Sequence, residues 1–122
     1  MKIKTAELIG PTLDWAVAQC EGYECDTESG LLYSHEEPHF FKCYSSDWSQ
    51  GGPIIEREQL CIGCMHQPDP NCCPPLDPDT LYWARTTSGG YLSYGPTHLI
   101  AAMRCLVASR LGDEVDVPDE LI

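Results

Sequence analysis

Residues 96–111 read PTHLIAAMRCLVASRL and predict the longest helix of this chain. Pro96 stands at a first-turn position, where its missing N–H costs no hydrogen bond, and Gly112 is suited to end the helix as a left-handed cap. The large apolar side chains lie on one broad arc of the helical wheel, which contains Leu99, Ile100, Met103, Leu106, Val107 and Leu111. This segment therefore predicts a core helix.

The opposite side of the same helix is small rather than charged. It contains Ala101, Ala102, Cys105, Ala108 and Ser109. A helix that is apolar nearly all round is buried on two sides. We therefore expect the small side to be covered, either by another element of this chain or by a second copy in a homo-oligomer.

A second helix is predicted over Thr12–Glu21, entered through Gly10 and Pro11. Its buried stripe consists of Leu13, Ala16, Val17 and Cys20. Trp15 points away from this stripe. Two interpretations follow for Trp15: it lies under a neighbouring loop, or it anchors a binding surface.

Short apolar or aromatic runs predict strands at 31–33, 40–43, 53–60, 81–85, 91–94 and 115–117. Residues 81–85 and 91–94 are expected to form a hairpin. Such short connections favour antiparallel pairing, so the predicted class is α+β, a small antiparallel sheet packed with two main helices. A chain of 122 residues has room for a single domain, residues 1–122.

Residues 61–79 are predicted to be a long Cys/Pro-rich loop insertion, since five of the eleven positions from 68 to 78 are proline. A Cys-x2-Cys knuckle, with further ligand residues after it, fits one structural Zn²⁺ as a cofactor. The candidate ligands are Cys61, Cys64, His66, Cys72 and Cys73. Adjacent cysteines chelate one ion awkwardly, so free or oxidised thiols are the alternative.

A polar segment, YSSDWSQGGP at 44–53, is the other candidate site. Gly51 and Gly52 permit close backbone approach, while Asp47, Trp48 and Gln50 are available for contacts, as is common on functional loops. The alternative is a turn in which Asp47 caps backbone N–H groups and Trp48 fills the core.

The formal net charge of −12 disfavours direct binding to nucleic acid, because phosphate backbones repel such a chain. Acidic residues concentrate at 21–37 and 113–120, which indicates a solvated surface or, alternatively, an acidic mimic of nucleic acid. Glu7 interrupts the position of a signal-peptide core, and the uncharged run at 97–103 is too short to cross a bilayer. We expect a cytoplasmic protein of a bacterial host cell, with no membrane association.

Catalytic motifs are not evident in the sequence, which contains no nucleophile elbow, phosphate loop, zinc-hydrolase motif or dinucleotide fingerprint. Its four histidines are scattered along the chain. No catalytic residue is therefore predicted, and a non-enzymatic role is favoured.

Three stretches resemble a known family: LDWAVA at 13–18, DWSQGGPIIERE at 47–58, and GPTHLIAAMR at 95–104 continuing to GDEV at 112–115. Together they resemble the small NinX-like proteins encoded by tailed phages and prophages, a family of unknown function. The resemblance implies a phage or prophage accessory gene acting in a bacterial cytosol. It does not include residues 61–79.

Three functional hypotheses follow. The leading one is a non-enzymatic module that binds a host or phage protein. Its expected contact residues are Trp15, Asp47, Trp48, Gln50, Gly51, Gly52, Arg57 and Arg104. The second hypothesis is a small-ligand-binding or enzymatic domain that uses Asp47–Gly52 and the arginines as an anion pocket. The third is the acidic mimic.

Overall fold

The computed structural model describes residues 1–22, 24–26, 31–33, 38–40, 43–64, 78–87 and 90–118. The elements in chain order are β1 Lys2–Lys4, α1 Pro11–Cys20, β2 Glu24–Asp26, β3 Leu31–Tyr33, β4 Pro38–Phe40, α2 Trp48–Glu58, β5 Cys61–Cys64, β6 Tyr82–Arg85, β7 Leu92–Gly95, α3 His98–Leu111 and β8 Glu114–Asp116. Short 3-10 turns occupy Thr5–Glu7 and Pro78–Thr80. The predicted α+β class is confirmed, although the described part contains three helices and three small antiparallel sheets.

The sheets are ordered β1-β8, β2-β3-β4 and β5-β6-β7. The predicted hairpin is confirmed, because β6 and β7 pair with Trp83 opposite Tyr94 and Arg85 opposite Leu92. The predicted last strand is also confirmed as β8. It pairs with β1, which places Val115 opposite Ile3 and joins the two ends of the described chain.

Helix α3 is the centre of the core. It begins after Thr97, whose Oγ1 accepts the Ile100 N–H at 3.1 Å, and ends at Gly112, where φ is +90°. Residues 101–108 are all buried, which confirms the predicted burial on two sides. At 14 residues α3 is the longest described helix, and none of the described helices is both long and apolar enough to cross a membrane.

The small side of α3 is covered by the same chain. Cys105 Sγ lies 3.9 Å from the carbonyl oxygen of Tyr91, just before β7. A Cβ added to Gly95 would come within 2.9 Å of the Ala101 backbone nitrogen, so the strand and the helix approach this closely because residue 95 has no side chain. Helices α1 and α2 also contact α3.

The strand predicted at 53–60 is wrong, because this region belongs to α2. Asp47 caps the helix: its Oδ1 accepts the Ser49 N–H at 2.9 Å. Burial of Ile54 in the core favours the helix despite the missing backbone donor of Pro53. The cap and tertiary packing together outweigh the local signals of glycine and proline.

The loop predicted over Cys61–Asp79 is wrong at its beginning. Cys61–Cys64 forms β5, which pairs with β6 in antiparallel register, with Gly63 opposite Trp83. Pro78–Thr80 forms a 3-10 turn at the other end. Residues 65–77 lie outside the described part of the chain.

Candidate interaction surface

The predicted binding residues at 47–50 turn out to organise the start of α2. Gln50 Nε2 donates to Asp47 Oδ2 at 3.3 Å, and Gln50 Oε1 accepts the Cys43 N–H at 2.7 Å. Hydrogen bonds from the Ser49 side chain and backbone lower the pKa of Asp47 from its usual value. The capping role of Asp47 is confirmed. A core position for Trp48 is wrong, because 52% of its surface is exposed.

The two glycines of this segment differ in their surroundings. Gly51 is buried, and a Cβ there would collide with the Tyr44 carbonyl oxygen and the Leu99 side chain. Gly52 is partly buried, and a Cβ there would make an ordinary 3.7 Å contact with the Trp48 ring. The close backbone approach predicted for Gly51 therefore serves packing of α2 against α3.

Arg57 joins α2 to α1 through an ion pair. Its Nη2 lies 2.9 Å from Glu21 Oε2 and 3.1 Å from Glu58 Oε1, and Arg110 Nη2 lies 2.6 Å from the same Glu58 oxygen. The hydrogen bond to Glu21 raises the pKa of Arg57 from its usual value. The positive charge proposed for an anion pocket is thus matched within the chain.

A depression of about 420 Å³ lies beside this ion pair, next to α2. It is lined by Glu21, Tyr44, Ser49, Gln50, Pro53, Ile54 and Arg57. Asp47 and Trp48 do not line it. The structure therefore does not bring the predicted ligand-binding residues together in one pocket.

Arg104 is an interior residue. Its side chain is 3% exposed, and it donates from Nε to the Leu8 carbonyl oxygen at 2.8 Å and from Nη1 to the Tyr94 carbonyl oxygen at 2.9 Å. Burial lowers the pKa of Arg104 from its ordinary value, and Asp79, 3.7 Å from Nη1, partly offsets this effect. Arg104 thus connects α3 to the segments that contain Leu8 and Tyr94.

Trp15 is partly buried against the core.

The zinc prediction is not decided by the described residues. Side chains alternate along a strand, so Cys61 and Cys64, three positions apart in β5, point to opposite faces. His66, Cys72 and Cys73 lie outside the described part. Among the described residues, no group of three or more potential ligands is found. Zinc binding stays a prediction.

A different set of residues shares the outer face of the β5-β6-β7 sheet. Directly paired residues of an antiparallel ladder point to the same side. The pairs Trp83–Tyr94 and Arg85–Leu92 therefore lie together, on the side opposite buried Ala84. We call these four residues the aromatic face. They line a shallow concavity of about 270 Å³.

The aromatic face is both exposed and supported from below. Leu92 and Tyr94 expose 55% and 39% of their surfaces. The Trp83 indole lies directly over Gly63, where a Cβ would collide with the ring. The Arg85 guanidinium carbon lies 5.9 Å from the Trp83 ring centroid, within range of a cation–π interaction. The face is an apolar and cationic surface on a sheet that packs against α3.

Residues 4–110 match the family model described as Bacteriophage P22, NinX. The chain belongs to this NinX family. Membership confirms the resemblance predicted from the three stretches and indicates a phage accessory protein. The match also includes residues 61–79, which the three stretches did not cover. No curated protein matches the chain.

Sequence reasoning missed the aromatic face of this NinX-family chain. The available signal was the hairpin itself: Trp83 and Arg85 alternate with Tyr82 and Ala84, so both sides of β6 carry apolar residues. Antiparallel strands commonly alternate apolar residues on the covered face with polar residues on the solvated face, and β6 departs from this pattern. Only the pairing with Leu92 and Tyr94 shows how the outward residues combine.

Proposed function

We propose that this chain is a non-enzymatic phage accessory module that binds a host or phage protein through its aromatic face. The observation that carries the proposal is the grouping of Trp83, Arg85, Leu92 and Tyr94 on one exposed sheet surface. Tryptophan, tyrosine and arginine are the residues most enriched among energetically dominant interface positions.

The packing that supports this surface favours binding of a protein. Trp83 rests on the backbone of Gly63, and the opposite side of the sheet packs on α3 through Ala84. A preorganised aromatic anchor loses little conformational entropy when a partner covers it. The aromatic face therefore has the composition and the support expected of a binding surface.

The charge of the whole chain adds a preference among partners. A net charge of −12 attracts a basic protein and repels an acidic one over distances comparable to the Debye length. Association with a basic partner should therefore slow as ionic strength rises.

The described acidic residues of β8 fit the nucleic-acid mimic less well. In the β1–β8 ladder Asp116 stands opposite Lys2, and Glu114 stands opposite Lys4. Each carboxylate thus has a cation as its cross-strand neighbour, unlike a row of phosphates. This pairing favours the aromatic face as the functional surface.

The proposal is tested by affinity capture from phage-infected and uninfected bacterial lysates, comparing the unsubstituted protein with Trp83→Ala and Trp48→Ala. Both substitutions remove a tryptophan outside the core, but only Trp83 belongs to the aromatic face. A captured protein is then purified and its dissociation constant is measured for each variant. We expect Trp83→Ala to raise the constant by about 30-fold or more, as at an interface hot spot.

Glu56→Gln, on the exposed side of α2, serves as the matched surface control, and circular dichroism confirms folding of every variant. A partner lost with Trp48→Ala and retained with Trp83→Ala would overturn the proposal and favour the segment at 47–52. Occupation of the aromatic face by a second copy of the chain, seen as concentration-dependent dimerisation abolished by Trp83→Ala, would also contradict it.

A further inference from the structure

Strand β7 is the outer strand of its described sheet, and its outer edge borders a cleft where the 3-10 turns Thr5–Glu7 and Pro78–Thr80 also contact it. The order β5-β6-β7 leaves β7 with a single described neighbour. The cleft measures about 450 Å³ and is bounded by residues 91–94 on one side and by residues 4–6 and 113–114 on the other. Asp79 and Thr80 also line the cleft, as do Arg104 and Ala108 of α3.

The ladder pattern determines which backbone groups of β7 face this cleft. The Thr86 N–H donates to the Tyr91 carbonyl oxygen at 3.1 Å, so Thr86 and Tyr91 form a hydrogen-bonded pair. Hydrogen-bonded and non-hydrogen-bonded pairs alternate in an antiparallel ladder. Leu92 and Tyr94 consequently direct their N–H and C=O groups away from β6. The hydrogen bond from Arg104 Nη1 to the Tyr94 carbonyl oxygen confirms this direction.

These edge groups are largely unpaired in the described part of the chain. Arg104 accounts for one of them, the Tyr94 carbonyl, and that oxygen retains a second lone pair. The Leu92 N–H and C=O and the Tyr94 N–H have no partner among the described residues. A row of unpaired backbone groups on an outer strand is a template for an added strand.

The charges around the cleft indicate the kind of strand that fits. Three carboxylates, Asp79, Asp113 and Glu114, line it with two cations, Lys4 and Arg104. Lys4 stands opposite Glu114, and Arg104 lies near Asp79, which leaves Asp113 without a described cationic neighbour. Together with the net charge of −12, this excess favours a basic segment.

We propose that the partner contributes an extended, basic peptide segment that adds to β7 as a fourth strand of the β5-β6-β7 sheet. The inference rests on the proposed function and specifies its mode of binding. Main-chain bonds to Leu92 and Tyr94 supply affinity, and the alternate side chains of the segment lie on the aromatic face. A lysine or arginine of the segment pairs with Asp113.

A direct test uses the isotope-labelled full chain and the blocked heptapeptide Lys-Thr-Lys-Val-Lys-Thr-Lys, with Glu-Thr-Glu-Val-Glu-Thr-Glu as the charge-reversed control. Titrations are followed by amide chemical shifts and hydrogen exchange. We expect the basic peptide to shift and protect the Leu92 and Tyr94 amides, and the acidic peptide to leave them unchanged.

Variants separate the backbone contribution from that of the side chain. Leu92→Pro removes a cleft-facing N–H at a position where an edge strand tolerates proline, and Leu92→Ala is its side-chain-matched control. Leu92→Pro should weaken peptide binding about tenfold relative to Leu92→Ala. Asp113→Asn should weaken binding of the basic peptide, whereas Glu56→Gln should not.

Several outcomes overturn strand addition. Strand addition is wrong if the two peptides bind equally or if neither binds. It is also wrong if the Leu92 and Tyr94 amides are already protected in the free chain, or if the chain associates with itself through β7. If the partner captured by the aromatic face leaves these amides exchanging freely, strand addition is wrong while the proposed function stands. If Trp83→Ala leaves partner binding intact, the proposed function itself is wrong.

Discussion

Both faces of the β5-β6-β7 sheet carry apolar residues, but the two faces meet different surroundings. On the inner face, Ala84 is fully buried under α3. On the outer face, Leu92 exposes 55% of its surface, and Trp83 rests on the backbone of Gly63. Apolar residues on the inner face are explained by folding, whereas the grouped aromatic surface on the outer face is the one that we propose for partner binding.

The comparison also separates two uses of arginine. Arg104, on the inner side, donates hydrogen bonds to backbone carbonyl oxygens of the same chain. Arg85, on the outer side, is exposed and stacks near Trp83. Substitutions on the inner side should therefore change stability, and those on the outer side should change binding.

The largest expected effect concerns the core beneath the sheet. Leu106 is 1% exposed on α3, so Leu106→Ala should lower the free energy of unfolding by about 2–5 kcal/mol through lost burial and a residual cavity. Leu92→Ala, on the outer face, should change it by less than about 0.5 kcal/mol. Urea denaturation measures both. Equal losses would remove the distinction between the two faces.

The next effect concerns the buried arginine. Arg104→Met keeps an apolar stem but leaves the Leu8 and Tyr94 carbonyl oxygens without their donor, which should cost about 1–3 kcal/mol of unfolding free energy. Arg104→Lys should lose less, because it retains a cationic donor. Thermal and urea unfolding of the two variants test the order. A Met variant as stable as the unsubstituted chain would show that the interior does not depend on these bonds.

A smaller effect is expected from Asp14, which is 8% exposed on α1. Burial raises its pKa above the usual 3.8, although hydrogen bonds from Ser45 partly counteract this. The folded chain therefore holds the proton more tightly, and this contribution to stability is lost as pH rises through the folded-state pKa. Asp14→Asn should be relatively more stable at neutral than at acid pH, measured by urea denaturation across that range. A pH-independent difference would contradict it.

The smallest effect concerns the reactivity of cysteine thiols and leaves the free energy of unfolding unchanged. Burial raises the pKa of Cys105 from 9.0 to about 11, so near pH 8 its thiolate population should be about 100-fold below that of an ordinary thiol. Cys64, at the exposed end of β5, should react much sooner. Pulsed alkylation with peptide mass mapping distinguishes them. Similar rates at both positions would indicate that the interior beneath β7 opens readily.

Local signals explain which elements were predictable. The hairpin at 82–95 and helix α3 follow from short apolar runs, glycine-rich turns and a strong helical wheel. Helix α2 was missed because Gly51, Gly52 and Pro53 are weak helix formers. Its helical state depends on the Asp47 cap and on packing against Leu99, which lies far along the chain.

The sequence by itself determined the α+β class, the position of α3, its cap at Gly112 and the family to which the chain belongs. Each of these depends on residues close together in the chain or on stretches of sequence that resemble the family. Tertiary structure alone decided that Arg104 is interior and that Trp48 is exposed. The reason is that burial depends on distant partners: the Arg104 bond to Leu8 joins residues 96 positions apart, a pairing no local pattern encodes.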